Sequence, residues 1–217
     1  MEKVKADLGK IASTVTGWFP QLNDDERTLS IQLYRLLANG KPVYPEEAAK
    51  AAGMPSEKVN EILNRWPGVF YDDDKNIIGY WGLAIRKMNH CFEVDGKTFY
   101  AWCAWDTLFI PAIIGKSAKV ESRCPATKNT IRLTVTPDGV ESADPDDIAV
   151  SFLLPETGNE LESITTSFCC HVHFFSSLDA ASKWVSQHPG TFVLSLKDAF
   201  KLGQLKNEIQ YGDIINQ

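Results

Sequence analysis

The chain reads as an α+β protein in which a winged-helix-like three-helix bundle is followed by a mixed, mainly antiparallel β-sheet domain with flanking helices. Two observations predict this. Helix-period apolar spacing dominates residues 24–66 and ends in a polar hairpin turn, and short strand-like runs with few helices and no regular βαβ alternation follow. The expected division is an N-terminal extension over 1–22, the helical domain over 23–81 and the α+β domain over 82–217.

From Asp24 to Asn39, Leu29, Leu33, Leu36 and Leu37 share one helical face, and Asn39-Gly40 supplies a left-handed stop. A second helix opens at Pro45 and ends before Gly53. A third, capped by Ser56, runs to about Trp66 with Val59, Ile62 and Leu63 inward. Val69 to Tyr71 and Ile77 to Trp81 then flank the polar Asp72-Asp73-Asp74-Lys75-Asn76, a hairpin signature. Strands are expected at Leu83–Lys87, His90–Val94, Lys97–Ala101, Ala118–Arg123, Thr130–Thr136, Ile148–Leu154 and Phe168–Phe175. Helices are expected at Cys103–Gly115, Leu178–His188 and Lys197–Gln210.

With 44% hydrophobic and 23% charged residues, the composition is that of a folded globule. The formal charge of -6 argues against a nucleic-acid partner, and the third helix and hairpin are themselves acidic on balance. No apolar run approaches the roughly 18 residues a membrane span needs, so no membrane partner is expected. The N-terminal Ile11–Phe19 stretch carries too many Ser, Thr and Gly residues for a secretory leader, and a cytoplasmic protein is expected. The five cysteines are odd in number, show no CxxC pair and read as thiols.

Two constellations carry chemistry. In Tyr100-Ala-Trp-Cys103-Ala-Trp-Asp106-Thr, a helix starting near Cys103 would set thiol and carboxylate on one face and favour the thiolate. The alternative is a structural Cys103 with Asp106 as a helix cap. In Ser167-Phe-Cys169-Cys170-His171-Val-His173-Phe-Phe175, strand alternation would put Cys169, His171 and His173 on one face, half of a zinc site. Here the alternative is a packed strand with hydrogen-bonded histidines. Cys124 lies in a turn, Ser122-Arg-Cys-Pro-Ala-Thr, and Cys91 reads as a packed thiol.

Together, Phe99-Tyr-Ala-Trp-Cys-Ala-Trp-Asp-Thr-Leu-Phe-Ile-Pro-Ala-Ile-Ile-Gly115 and Ser167–Phe175 resemble the signature regions of the alkylmercury (organomercurial) lyase family. The likeness extends to Gly40-Lys-Pro-Val, the Asp74–Tyr80 hairpin, Ser122–Thr127, Ala149–Pro155 and Leu202-Gly-Gln, so it runs from about residue 29 to 205. The resemblance implies that Cys103 and Cys169 are the mercury-binding thiols, that Asp106 is the catalytic carboxylate and that Cys124 is a structural thiol. The implied reaction is protonolysis of a carbon–mercury bond without an organic cofactor, leaving Hg(II) on Cys103, Cys169 and Asp106. Mercuric reductase or small thiols are the implied acceptors. Tyr100, Trp102, Trp105 and Phe168 are the expected walls of the substrate pocket, and Trp105 stands where the family is expected to carry a smaller aliphatic residue. The acidic Asp72–Asp74 and the first twenty or so residues are expected to stay clear of the trio. A competing reading is a non-enzymatic zinc- or mercury-binding or sensing protein using Cys103, Cys169, His171 and His173. A third is a Cys-His hydrolase, for which no oxyanion-hole motif is visible.

Overall fold

A computed structural model describes residues 7–154 and 168–216; residues 1–6, Ser167 and the rest of 155–167, and Gln217 lie outside the described part. The chain begins with α1 (Leu8–Thr16), capped by the Asp7 side chain, where only an extension was expected. Three helices follow: α2 (Asp24–Leu37), α3 (Pro45–Ala52) and α4 (Ser56–Arg65). The capping box between Asn23 and Glu26 starts α2. Leu29, Leu33 and Leu37 are buried as their spacing requires. The N-cap of α4 is Pro55 rather than Ser56, which is already its first helical residue.

The hairpin β1 (Val69–Tyr71) and β2 (Ile77–Tyr80) is closed by Asp72, whose carboxylate accepts from the N–H groups of Asp74 and Asn76. It is not a free wing. Through β3 (Leu83–Ala84) it joins β5 (Lys97–Ala101), β4 (His90–Val94), β6 (Ala118–Arg123), β7 (Thr130–Val135) and β8 (Val140–Asp144) in one eight-stranded sheet ordered β1-β2-β3-β5-β4-β6-β7-β8. A second sheet sets β9 (Ala149–Leu153) between β10 (Phe174–Phe175) and β11 (Thr191–Ser195). All its pairings, like those of the first sheet, are antiparallel. Both β8 and β11 escape the sequence reading: β8 is polar and mostly exposed, and β11 follows directly on Pro189-Gly190.

The helices α5 (Asp106–Ile114), α6 (Leu178–Val185) and α7 (Leu196–Tyr211) flank the sheets. α7 packs on both α1 and α5, and α5 also meets α2, so the N-terminal helices and the sheets share one core. Gly203 lets α7 press on α5: a Cβ there would stand 2.8 Å from the Phe109 Cβ. Two expected elements are shorter than predicted. The Leu83 strand stops at Ala84, and α5 begins at Asp106, not Cys103. The expected strand Phe168–Phe175 is a 3-10 turn, Cys169–His171, followed by the two-residue β10.

Candidate active site

Cys103 sits in the tight link between β5 and α5, and Asp106 is the first residue of α5. Because the helix starts at the carboxylate, thiol and carboxylate do not share a helical face as expected. Instead Asp106 reaches back, and its Oδ2 accepts the Cys103 backbone N–H at 2.8 Å. The 3-10 turn delivers Cys169 to the same place. The ligand atoms of Cys103, Asp106 and Cys169 lie within 4.8 Å of one another, and all three residues are buried.

Backbone bonds tie the two thiol loops together. Ala104 N–H donates to the Val172 carbonyl at 3.2 Å, and Val172 N–H donates to the Cys169 carbonyl at 3.2 Å. Ser151 on β9 secures the turn from behind: its hydroxyl donates to the His171 carbonyl at 2.6 Å and accepts the His173 N–H at 3.0 Å. The Trp81-Gly82 turn between β2 and β3 forms another wall. Tyr34 from α2 donates to the Trp81 carbonyl at 2.7 Å, Trp102 N–H donates to the Gly82 carbonyl at 3.0 Å, and Gly82 lies against the Asp106 carboxylate.

Burial sets the charges. It pushes the Cys103 thiol well above its ordinary value, and a hydrogen bond with Cys169 and the charge of Asp106 add to the shift. The expectation of a thiolate stabilised by a helix N-terminus therefore does not hold, because the helix starts one turn too late. Burial likewise raises Asp106 to about 6; hydrogen bonds from Cys103 and Trp102 and the charge of Lys206 restrain the shift. The resting arrangement is two thiols beside a carboxyl poised to exchange a proton.

A raised folded-state pKa means that this carboxyl adds stability below its unfolded value of 3.8 and loses it as pH rises through about 6. The full difference is about 3 kcal/mol. The expected result is that Asp106→Asn gains in Tm relative to the parent chain as pH is raised from 4 to 7, which paired thermal melts across that range check. A constant difference would count against the assigned burial penalty.

Asp106 and Cys169 line a narrow, mostly apolar pocket with Trp18, Phe19, Trp81, Gly82, Trp102, Trp105 and Phe168, while the fully buried Cys103 lies behind its lining. Three of the four expected wall residues, Trp102, Trp105 and Phe168, are there. Tyr100 is not: its neighbours Phe99 and Ala101 are buried, and strand alternation turns Tyr100 to the other face of β5. Trp105 is fully buried, donates to the Ala199 carbonyl at 3.0 Å and packs edge-on against Phe109, Phe152 and Phe168.

The N-terminal extension does not stay clear. Trp18 meets Phe168 edge-on at 5.5 Å and Phe19 lies 4.6 Å from Trp81, so the segment after α1 roofs the pocket. Their apolar character behind an amphipathic stretch was the available signal. The cavity measures about 10 Å³, scarcely room for one water. Roomier hollows exist, such as one of about 480 Å³ over the outer sheet face near Cys91 and Arg132, but they lie away from the trio.

The histidines are not brought to the trio. His171, His173 and His188 gather around Trp184, at ring separations of 6.5, 5.4 and 3.6 Å. His90 bonds Ser122 at 2.7 Å, and burial drives its pKa down to about 3. His173 bonds the Cys170 carbonyl. The face shared by Cys169, His171 and His173 dissolves because the segment turns where a strand was expected. Among the described residues only Cys103, Asp106 and Cys169 group as potential metal ligands. Cys170 is exposed, away from the pocket lining. Cys124 is buried in its turn; burial opposes its ionisation, but hydrogen bonds from Thr127, Ser176 and Ala126 outweigh that and hold the thiol below its ordinary value.

Residues 83–206 match the family model described as alkylmercury lyase, and 20–81 match that of the helix-turn-helix domain of alkylmercury lyase. The chain belongs to the alkylmercury lyase family. An alkylmercury lyase of Pseudomonas putida is 46% identical over 178 residues, which is 82% of each chain. One of Bacillus cereus is 46% identical over 173 residues, covering 80% of this chain and 78% of the relative. A solved mercury-bound form of MerB2 superposes with a TM-score of 0.70 over 94% of this chain and 98% of that one. At 23% identity it speaks for the fold. Among the described residues, no helix is long and apolar enough to cross a membrane.

Proposed function

We infer that this member of the alkylmercury lyase family cleaves the carbon–mercury bond of organomercurials by protonolysis, yielding a hydrocarbon and Hg(II). The observation that carries the reading is the convergence of two thiols and one poised carboxyl within 4.8 Å, with Asp106 and Cys169 opening on an aromatic pocket. Mercury is soft and prefers sulfur, and the pocket walls suit alkyl or aryl groups.

The steps balance on the chain's own groups. Cys103 sulfur displaces the carrier ligand of R–Hg–X, and the thiol proton leaves with it as HX. Asp106 then takes the Cys169 proton, and the Cys169 sulfur adds to mercury as a second donor. Donation from two sulfurs weakens the Hg–C bond. Its electron pair goes to carbon, which takes the proton back from Asp106 as R–H forms. Hg(II) stays on the two sulfurs and the carboxylate is restored. Exclusion of water by the aromatic walls keeps the shuttled proton from being lost to solvent.

Small thiols or mercuric reductase are the acceptors that would take Hg(II) from such a pair, and a reducing, cytoplasmic setting suits thiols held as Cys103 and Cys169 are. The test mixes reduced protein with phenylmercury and excess small thiol and follows benzene. Catalytic release by the parent chain, with about a hundredfold or greater loss in Asp106→Ala, is expected. Tight mercury uptake without benzene would sink the reading.

A further inference from the structure

Lys206 is a charged side chain with no part in this scheme, yet it is fully buried, at 0% exposure. A lysine in that position is costly unless something compensates its charge. It projects from α7 into a cage of three rings. Its Nζ stands 4.2 Å from the centroid of Phe109, 4.4 Å from that of Phe19 and 5.3 Å from that of Tyr211. Nζ donates to Asn207 Oδ1 at 3.3 Å, and Asn207 Nδ2 donates in turn to the Phe109 carbonyl at 3.0 Å. One of these rings, Phe19, lines the pocket, and Phe109 lies one turn beyond Asp106 on α5. Ring faces favour a cation over a neutral amine. Burial draws the ammonium down to about 7, and the negative charge of Asp106 opposes that shift.

The net charge of the trio is constant through the reaction. At rest Asp106 is an anion beside two thiols. With R–Hg on Cys103 and the Cys169 proton on Asp106, the charge sits on the Cys169 sulfur and the mercury it approaches. After R–H departs, Hg(II) with two thiolates is neutral and Asp106 is again the anion. One negative charge therefore travels within a buried site, and the protonated Lys206, caged against Phe109 one turn beyond Asp106, leaves the whole neutral at every stage. A direct ion pair with Asp106 would hold that carboxylate ionised and oppose its protonation. A caged ammonium acting through space favours the charge at either end of its path.

We propose that Lys206 is a positioning residue for protonolysis: its caged ammonium is the counter-ion for the single negative charge that moves between Asp106 and Cys169. The proposal rests on the functional reading above. The test compares Lys206→Met, which keeps an unbranched side chain one atom shorter and removes the charge, with the parent chain. Each is preloaded with one equivalent of phenylmercury, and benzene is followed in a single turnover. Release is expected to slow at least tenfold while loading stoichiometry and KM stay unchanged. A purely structural lysine would instead lower Tm and loading together and leave the release rate of loaded protein alone.

A Lys206→Met chain releasing benzene at the parent rate would overturn the proposal. Should that variant fail to fold, nitrogen-15 NMR of lysine-labelled parent protein decides. A buried ammonium that is protonated at pH 6, below its value of about 7, with and without mercury, is expected; a neutral amine at that pH would overturn the proposal. A parent chain that binds mercury but never releases benzene would remove the functional reading and this proposal with it, whereas an active parent with an unaffected variant removes this proposal alone.

Discussion

Cys169→Ser folds, takes up one equivalent of arylmercury on Cys103 and releases no benzene above background, a loss of turnover of about a thousandfold or more. Serine keeps the size of the side chain and its place in the 3-10 turn, so the backbone bonds from Ala104 and Ser151 survive. What is lost is the second soft donor, and a hydroxyl cannot replace a thiolate on mercury. Cys103→Ser behaves differently. It loses the fully buried thiol hydrogen-bonded to Cys169 and beside the carboxylate, so uptake weakens along with turnover. Gas-phase benzene and bound mercury, measured on the same samples, separate the two variants. Parent-level benzene from Cys169→Ser would refute the two-thiol scheme.

Gly82→Ala is expected to be almost as damaging, although Gly82 contributes no chemistry. Its φ is +95°, which disfavours any side chain, and an added Cβ would stand 2.6 Å from both Cγ and Oδ1 of Asp106. Either the carboxylate or the Trp81-Gly82 turn must shift. Trp81, itself at φ +30°, is pinned by the hydrogen bonds to Tyr34, Pro67 and Gly68, so the turn has little freedom to give. Displacing the carboxylate by about 1 Å is worth roughly a hundredfold in rate. The strain and lost packing cost about 2–4 kcal/mol of stability. Gly53→Ala is the control: φ there is +66° but nothing lies within 4 Å. It pays only the backbone penalty of about 1–2 kcal/mol and keeps its activity. Equal activity in the two variants would show that the placement of Asp106 against Gly82 does not matter.

The elements legible in the sequence are those whose signals are local. Leu29, Leu33 and Leu37 mark α2 by period, Pro45 and Gly53 bracket α3, and Asp95-Gly96 turns β4 into β5. The start of α5 differs from the expected one because Tyr100–Trp105 is aromatic or small and apolar throughout, which leaves nothing to say where strand ends and helix begins. The alternation of Cys169, His171 and His173 suggested a strand, yet the Ser151 hydroxyl and the Ala104 N–H capture the backbone groups a strand would pair. The trio was legible through family likeness rather than spacing, since Cys103 and Cys169 meet only in the fold. Phe19, Gly82 and Lys206 escaped notice because each matters through a neighbour distant in sequence, namely Trp81, Asp106 and Phe109.

The two thiols that converge in the pocket lie some 66 positions apart in the chain. A mercury atom held by both is a covalent-like clasp across that loop. It restricts the unfolded chain much as a disulfide would, by about 4 kcal/mol on chain-entropy grounds. On the proposed two-thiol scheme the product would fasten the molecule that made it, and each cycle would end with the chain in its most stable form. Turnover would then be set by how fast an incoming ligand unfastens the clasp.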